Sequence, residues 1–572
     1  MIDTRNLILA FILSFAVLLG YQKVFVEPRL EQQQAYDAAN PTSDAPVTMG
    51  DAPGLADPVV MAKEPSLTET VAADIPRVEV RTPRLTGSLP LLGAKIDDLH
   101  LADYFETLGG DDTIHLLKPH GTEGAYYADF GWAGRPSLGL ILPDDNSLWV
   151  PNGDELTPET PITFTWNNGA GLIFTRTLSV DDNFMLSVEM GVENATPNTI
   201  SLAPYAMLVR EGAPSVSGFA ILHEGPLGVF DDSLEEVSYD DLKDDGEQRF
   251  NSTGGWMGIT DKYWLTALVP NQTSPTKSRL RHTVRNGEDR YQVDYLEGEY
   301  EVAAGARVAV TTHMFAGAKE VNLIEDYEEK MGIALFDRTI DWGMFYFLTK
   351  PFFHLLDFFN GLTGNFGVAI LMLTVLIKLV LFPMANKSYV AMSKMKKLTP
   401  KMNAIKERYA DDKMRQQQEV MALYKTEKVN PMAGCLPILV QIPVFFALYK
   451  TLFVAIEMRH QPFFGWVHDL SAPDPMTIIT GFGLFPWDAP SFLMIGIWPL
   501  IMGFTMWFQQ KLNPAASDPM QAKMMSFLPI LFTFLLGSFP VGLVIYWTWN
   551  NILSIAQQWV IMRREGVSIN DG

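Results

Sequence analysis

The sequence predicts a polytopic α-helical membrane protein that carries a large all-β sandwich domain outside the membrane. The chain has 572 residues, enough for more than one domain. Residues 76–317 alternate apolar and polar side chains between turn residues, as strands do, whereas residues 341–572 contain five long apolar segments. Residues 1–340 carry 24 Lys and Arg against 52 Asp and Glu, and residues 341–572 carry 19 against 14. The acidic, β-rich half and the mildly basic, apolar half are therefore predicted to be separate domains.

The N-terminal segment predicts a transmembrane anchor over residues 1–26. No small-residue cleavage site follows its apolar run, which favours a retained anchor over a cleaved signal peptide. Residues 27–75 are rich in Gln, Ala, Pro, Asp and Thr, a composition typical of a flexible linker. The β domain is predicted over 76–335 and closes with a helix over 322–333. Its acidic charge is unsuited to binding nucleic acid, whose phosphates require Lys and Arg.

The apolar segments predict a five-helix core over residues 363–562. Each segment is long enough to cross a hydrocarbon layer of about 30 Å, and the N-terminal anchor brings the predicted total to six transmembrane helices. An aromatic-rich helix over 336–362, interrupted by Pro351, is predicted to lie in the membrane interface before the core. The five core segments are residues 364–384, 432–458, 491–510, 523–539 and 541–562.

The distribution of Lys and Arg predicts the orientation of these helices. Residues 385–430 hold eleven Lys and Arg against five acidic residues, whereas residues 459–490 hold one Arg against three acidic residues. The positive-inside rule therefore places 385–430 in the cytoplasm, the β domain outside, and both termini, including the tail 563–572, in the cytoplasm. Residues 385–430 predict a hairpin of two helices broken at Thr399–Pro400, with a Met-containing apolar face. The alternative is a solvated basic hairpin that only satisfies the charge rule.

A single Lys interrupts the first core segment. Lys378 lies nine residues before Lys387, roughly 13 Å from the cytoplasmic end, and a charge at the bilayer centre costs about 2.5–3.5 kcal/mol. The interiors of the core segments contain no Asp or Glu. They do contain uncharged polar residues, which predict a wet cavity that an acidic group visits; the alternative is a lysine that snorkels along its own stem. These polar residues are Thr374, Gln441, Asn550, Asn551, Ser554, Gln557 and Gln558.

Several kinds of site are not predicted. The single cysteine, Cys435, excludes an intramolecular disulfide framework and a cysteine metal site. The nine histidines are scattered, and His115 and His120 are interpreted as surface residues rather than metal ligands. The sequence has no phosphate-binding loop, so nucleotide hydrolysis has no visible place in the chain. No metal or cofactor is therefore expected.

Three other classes of function agree with parts of the pattern. A transporter also places charges in a midplane cavity, but neither an internal repeat nor an acidic proton relay is visible. Lys378 and Ser554 are a conceivable Ser–Lys dyad, although no strained Gly-rich turn accompanies them. A sugar-binding β domain on a membrane anchor does not require five spans with a buried cation.

Long motifs in the core resemble the YidC/Oxa/Alb family of membrane protein insertases, in the Gram-negative form with a periplasmic domain. The resemblance covers nearly the whole chain and implies a non-enzymatic insertase and chaperone of the inner membrane. It implies action on nascent membrane proteins without nucleotide hydrolysis, alone or with the Sec translocon, with the ribosome and membrane lipids as further partners. The motifs are NPMAGCLPILVQIPVFFALY (430–449), WVHDLSAPDP (466–475), KLNP (511–514), DPMQAKMMSFLPI (518–530) and FPVGLVIYWTWNNILSIAQQ (539–558).

The resemblance also implies a hydrophilic groove open to the cytoplasm and to lipid. Lys378 matches the groove cation, which is Arg in many relatives, so the charge is kept and the bidentate fork is lost. Region 476–490 looks longer than in the best-known relatives and receives no role. The predicted groove residues are Lys378, Thr374, Gln441, Tyr546, Trp547, Asn551 and Ser554. The hairpin residues predicted to receive the chain or ribosome are Lys394, Lys397, Met402, Tyr409 and Met421.

Overall fold

The computed structural model divides the chain into two compact units. The β unit runs from residue 75 to Met344 and includes Val454–Glu457; the helical unit holds Phe345–Phe453 and the chain from Met458 onward. The residues described are 75–135, 139–214, 222–285, 287–427, 429, 436–479, 481, 494–513 and 519–566.

Four segments singled out in the sequence fall wholly or partly outside this description. The N-terminal anchor over 1–26 and nearly all of the linker over 27–75 lie outside the described residues, as does most of region 476–490. The tail 563–572 is described as far as residue 566.

The β unit is built from short strands with two helices among its described residues. Helix α1 spans Tyr239–Asp245, and α2 spans Val321–Met331, where a closing helix is predicted. The strands are β1 Arg77–Arg81, β2 Leu85–Pro90, β3 Asp98–Phe105, β4 Thr113–Leu117, β5 Tyr126–Gly134, β6 Val150–Pro151, β7 Glu155–Leu156, β8 Ile162–Asn167, β9 Leu172–Val180, β10 Met185–Asn194, β11 Ile200–Glu211, β12 Gly225–Phe230, β13 Ser233–Glu236, β14 Glu247–Thr253, β15 Trp256–Thr260, β16 Trp264–Val269, β17 Pro275–Arg285, β18 Glu288–Glu297, β19 Tyr300–Val302 and β20 Arg307–Ala318.

The strands form three sheets. A nine-stranded sheet has the order β13-β12-β15-β16-β20-β10-β9-β8-β6, and a six-stranded sheet has the order β14-β17-β18-β11-β19 with β5 beside β11. These two sheets face each other: the hydroxyls of Tyr295 on β18 and Thr312 on β20 are 2.6 Å apart and buried. A third sheet, β4-β3-β2-β1-β7, has five strands. The predicted β domain is therefore present as two facing sheets, with a third sheet that the sequence did not predict.

Strand β9 shows why the alternating sequence predicts a strand. Its side chains at Leu172, Phe174, Leu178 and Val180 are buried, and the residues between them are more exposed. Successive side chains of a strand point to opposite faces, so alternate positions share the core face. One member of the buried series is a charged residue, Arg176.

We expect His313 to make the β unit less stable in mild acid. His313 is half-buried on β20, its Nδ1 lies 2.9 Å from Ser187 Oγ, and burial lowers its pKa. The unfolded chain then binds a proton first, so the stabilisation is present above the unfolded pKa of about 6.5 and is lost as the pH falls. Chemical denaturation at pH 7 and pH 5 should show a smaller loss of unfolding free energy for His313→Gln than for the native chain. Equal losses in both proteins contradict the prediction.

The helical unit contains a helix in each of the five predicted core segments. By length and composition, α4 is the one helix in the described part of the chain that is long and apolar enough to cross a membrane; Val440–Val454 and Lys523–Ser538 are shorter apolar helices. The helices are α3 Tyr346–Thr363, α4 Phe366–Arg408, α5 Lys413–Thr426, α6 Leu436–Val454, α7 Ile497–Leu512, α8 Pro519–Leu535 and α9 Val541–Arg564.

The predicted break of the hairpin at Thr399–Pro400 is wrong. Helix α4 continues through Pro400, although a proline inside a helix removes one hydrogen bond. The chain turns after Arg408, and the side chain of Asp412 accepts a hydrogen bond of 3.0 Å from the backbone N–H of Arg415, which caps α5. The turn is therefore set by the short polar sequence before α5 and not by the proline.

Candidate functional site

Lys378 is bound to the last helix of the unit. Its Nζ donates a hydrogen bond of 2.8 Å to Ser554 Oγ, which joins α4 to α9. Ser554 donates its own proton to the backbone oxygen of Asn550 at 2.7 Å, so its oxygen is left to accept from the ammonium. Ser554 is buried and Lys378 is half-buried. Among the described residues, no carboxylate pairs with Lys378. The hydrogen-bond partner of the cation is therefore a hydroxyl group, and the wider polar cavity stays a prediction.

This contact has the two residue types of a Ser–Lys dyad but not the surroundings of one. Ser554 lies in the middle of α9, where backbone N–H groups are engaged inside the helix. A nucleophilic serine needs free donors at the position of the developing oxyanion, and a continuous helix does not supply them. The geometry therefore does not favour the enzymatic reading of the pair.

A second polar contact joins α6 to α9. Gln441 Nε2 donates to the hydroxyl of Tyr546 at 2.9 Å. The adjacent Trp547 packs against Phe445 of α6 and Phe532 of α8, with ring centroids 4.7 Å and 5.4 Å away. Tyr546 lies two turns before Ser554 on α9. The helix α9 thus carries polar contacts to α4 and to α6 at different depths.

Two predicted groove residues make other contacts. Thr374 is buried, and its hydroxyl donates to the backbone oxygen of Ile370 on its own helix at 2.7 Å. Asn551 Nδ2 donates to Thr505 Oγ1 of α7 at 3.2 Å. Both side chains therefore donate hydrogen bonds within the helical unit. Their place in a groove stays a prediction.

The polar row on α9 divides between two neighbouring helices. Ser554 faces α4, whereas Asn551 and Gln558 face α7, where Gln558 Nε2 donates to the backbone oxygen of Leu512 at 3.1 Å. Sequence analysis missed Thr505, the partner of Asn551. The only sequence signal for it is a lone hydroxyl in an apolar helix.

The predicted hairpin residues divide into buried and exposed groups. Met402 is buried, and its sulfur lies 2.9 Å from the hydroxyl of Tyr424. Met402 therefore packs between the two helices of the hairpin. Lys397 donates to the backbone oxygen of Glu565. Tyr409 ends α4 and lies under the Arg415 guanidinium. The predicted residues that remain exposed are Lys394, Lys397 and Met421.

Comparison with known proteins identifies the class to which both units belong. The model of the 60Kd inner membrane protein matches residues 358–567, and the model of the YidC periplasmic domain matches residues 77–355. These matches define an inner membrane protein with a periplasmic domain. A membrane protein insertase YidC of Methylobacterium radiotolerans is 47% identical over 99% of this chain and 96% of its own, and one of Beijerinckia indica is 48% identical over 99% and 97%. The chain belongs to the family of YidC membrane protein insertases, which confirms the resemblance.

One solved structure matches part of the chain without supporting an argument. A galactose mutarotase related enzyme from Lactobacillus acidophilus covers 42% of this chain and 97% of its own, with 12% identity and a TM-score of 0.30. A likeness this weak says nothing about what the β unit binds.

Proposed function

We propose that this protein inserts nascent transmembrane segments through a polar groove beside Lys378, without nucleotide hydrolysis. The observation that carries the proposal is the contact between Lys378 and Ser554, with no carboxylate partner among the described residues. An ammonium has three donors, and Ser554 accepts from one of them. The remaining donors suit water and the acidic or polar flank of an incoming chain.

The flank of a transmembrane segment is the part that is costly to move through lipid. Each buried polar group without a partner costs several kcal/mol in hydrocarbon, on the order of the cost of a lost hydrogen bond. Lys378, Ser554 and Gln441 replace part of the lost hydration along the way. A negatively charged flank gains most because it also gains attraction to the ammonium.

The apolar part of the substrate is proposed to move along α6 and α8. Two large apolar side chains of α6, Ile442 and Phe446, are 45% and 48% exposed. Exposed large apolar side chains mark contact with a membrane or a partner, so α6 and α8 are each proposed to offer the segment a lipid-like surface. The exposed large apolar side chains of α8 are Met524, Met525, Phe527, Ile530, Leu531, Phe534 and Leu535, at 38–61%.

The wider arrangement follows the charge distribution. We propose six membrane spans, formed by the N-terminal anchor and the five core helices, with both termini and the hairpin in the cytoplasm. The helix α3 is proposed to lie in the interface. The exposed basic hairpin is proposed to receive the ribosome or the emerging chain, and the Sec translocon and membrane lipids are further proposed partners.

Site-specific photo-crosslinking tests the path. A photoreactive residue at Ile442 leaves the Gln441–Tyr546 bond intact, and a second at Gln441 reports from within the proposed groove. Ile552 on α9 is the matched control, since it is 39% exposed and lies about 200° around the helix from Ser554. Ribosome-bound chains stalled with a short transmembrane segment should crosslink at 441 and 442 and not at 552. Equal yields at all three positions, or adducts at 552 alone, contradict the proposed path.

A further inference from the structure

We propose that Asp98, His100 and His115 in the β unit form a binding site for a divalent transition metal ion of the zinc type. This goes beyond the proposed insertion function and lies in the other unit. It also revises the interpretation of His115 as an ordinary surface residue.

The strand register brings the three side chains together. In the antiparallel pair of β3 and β4, His100 lies directly opposite His115. Asp98 and His100 are two residues apart on β3 and therefore share a face of the sheet. The two imidazole rings stack with centroids 3.9 Å apart and planes 11° apart. No spacing in the sequence shows this pairing, because it depends on which residues of two strands are opposite.

The distances between donor atoms fit one small cation. Asp98 Oδ1 lies 3.1 Å from His115 Nε2 and 3.5 Å from His100 Nε2. Ligand atoms at about 2.0–2.1 Å from a tetrahedral zinc ion are about 3.3–3.4 Å from each other. An imidazole binds an ion in its own ring plane, so the two stacked rings must turn out of their parallel arrangement when three ligand atoms point at one ion.

The carboxylate is already oriented by a chain of hydrogen bonds. Ser88 Oγ donates to Asp98 Oδ2 at 2.6 Å, and Arg77 Nε donates to Ser88 Oγ at 2.7 Å. These contacts occupy Oδ2 and leave Oδ1 directed at the histidines. Such outer contacts are typical of metal sites, where they hold the ligands in position.

One histidine has a similar outer contact. His100 Nδ1 lies 3.4 Å from Thr113 Oγ1. A proton on Nδ1 that points to this hydroxyl leaves the lone pair on Nε2, which is the nitrogen that faces Asp98. In that tautomer, His100 has the free Nε2 lone pair that metal binding requires.

The surroundings decide which ion fits and how it enters. The side chains of Asp98, His100 and His115 are 21%, 33% and 31% exposed, so an ion reaches them from solvent and a fourth position stays open for water. Two imidazoles and one carboxylate, without thiolate, suit Zn²⁺, Ni²⁺ or Cu²⁺ rather than Cu(I) or Ca²⁺.

The β unit supplies a matched control. His282 Nε2 lies 2.9 Å from Asp289 Oδ1, again a His–Asp contact across neighbouring strands. Among the described residues this pair has no second imidazole, and Lys243 Nζ takes the other carboxylate oxygen at 2.7 Å. An ordinary His–Asp pair therefore exists in the same unit, and it differs from the proposed site by the missing second histidine and by the lysine on its carboxylate.

Zinc binding by the full-length protein in detergent, without a polyhistidine tag, tests the proposal. Calorimetric titration with Zn²⁺ should show one saturable site per chain, and Co²⁺ should give visible bands of low-symmetry coordination. His100→Ala and His115→Ala should each weaken Zn²⁺ binding by more than about tenfold, since even the loss of an outer contact costs about 10–100-fold. His282→Ala should bind as the native chain does.

Two further measurements separate loss of the site from loss of the fold. Thermal unfolding without metal should be similar for native, His100→Ala and His115→Ala proteins, and Ser88→Ala should weaken Zn²⁺ binding less than either histidine variant. The proposal is overturned if the native chain shows no saturable site, or if both histidine variants bind Zn²⁺ as tightly as the native chain.

Discussion

Replacement of Lys378 by Ala is expected to reduce insertion of substrates with an acidic translocated flank by roughly tenfold or more, because a hydrogen bond to a charged group contributes about 1.5–3 kcal/mol. Substrates with a neutral flank should be affected much less. The reason is that Lys378 is held by Ser554 and, among the described residues, by no carboxylate, so an acidic flank is its complementary partner. Insertion is measured by protease protection of the flank in proteoliposomes.

Two variants separate charge from side-chain geometry. Lys378→Arg keeps the positive charge and should retain most of the insertion of both substrates, although its fork differs from an ammonium. Lys511→Ala removes another lysine of the same unit, which is exposed at the end of α7 near the ring of Trp507. This variant should insert both substrates as the native chain does. A loss in Lys378→Ala that is equal for acidic and neutral flanks contradicts the role of the charge.

Ser554→Ala tests the hydrogen bond between Lys378 and Ser554 from the side of the acceptor. The variant removes the acceptor and keeps the ammonium, so Lys378 becomes freer to meet a flank or water. Its effect on acidic substrates should therefore be smaller than that of Lys378→Ala. An effect as large as that of Lys378→Ala shows that the hydroxyl positions the ammonium and that position matters as much as charge.

The sequence predicts which residue types belong to the candidate site, but not which of them are in contact. A lone Lys in an apolar segment and a polar row at helical spacing are visible in the sequence, and the structure joins them at Ser554. The division of that row was not predictable. Whether Asn551 meets α4 or α7 depends on how α9 is rotated, and rotation is set by the packing of side chains such as Trp547 against two other helices.

The β unit shows the same division between local pattern and long-range pairing. Alternation predicts strands such as β9 because burial has a period of two. It does not predict that β1 pairs in parallel with β7, or that His100 lies opposite His115. In the hairpin, Pro400 predicts a break, whereas α4 continues through it and ends at Arg408, before the polar turn that leads to Asp412.

Replacement of Arg176 by Ala is expected to destabilise the β unit by about 3–5 kcal/mol, the usual effect of removing one partner of a buried ion pair. Arg176 is 4% exposed. Its guanidinium donates to the backbone oxygens of Ala94 and Phe130 and lies 3.3 Å from Asp129 Oδ1. The variant leaves the buried Asp129 without its nearest cation and leaves two backbone oxygens without a donor.

The destabilisation should depend on pH with a definite sign. Burial already raises the pKa of Asp129, and the Arg176 charge opposes that rise. Without Arg176 the folded-state pKa rises further above the unfolded value of about 3.9, so the variant binds a proton more tightly when folded. The difference in unfolding free energy between variant and native chain should therefore be largest near pH 7 and should shrink as the pH falls toward 5.

Arg249→Ala is the matched control, because Arg249 pairs with Glu247 at the surface and its side chain is 47% exposed. Its loss should cost no more than about 1 kcal/mol, and a similar loss for both variants contradicts the argument from burial.

Pulse proteolysis of the full-length protein reports unfolding of the β unit, and the proteoliposome assay reports insertion. Because the proposed path lies in the helical unit, Arg176→Ala should make the β unit sensitive to protease while insertion is retained. If insertion is lost in step with protease resistance, the β unit takes part in insertion, and the proposed path along α6 and α8 beside Lys378 is incomplete.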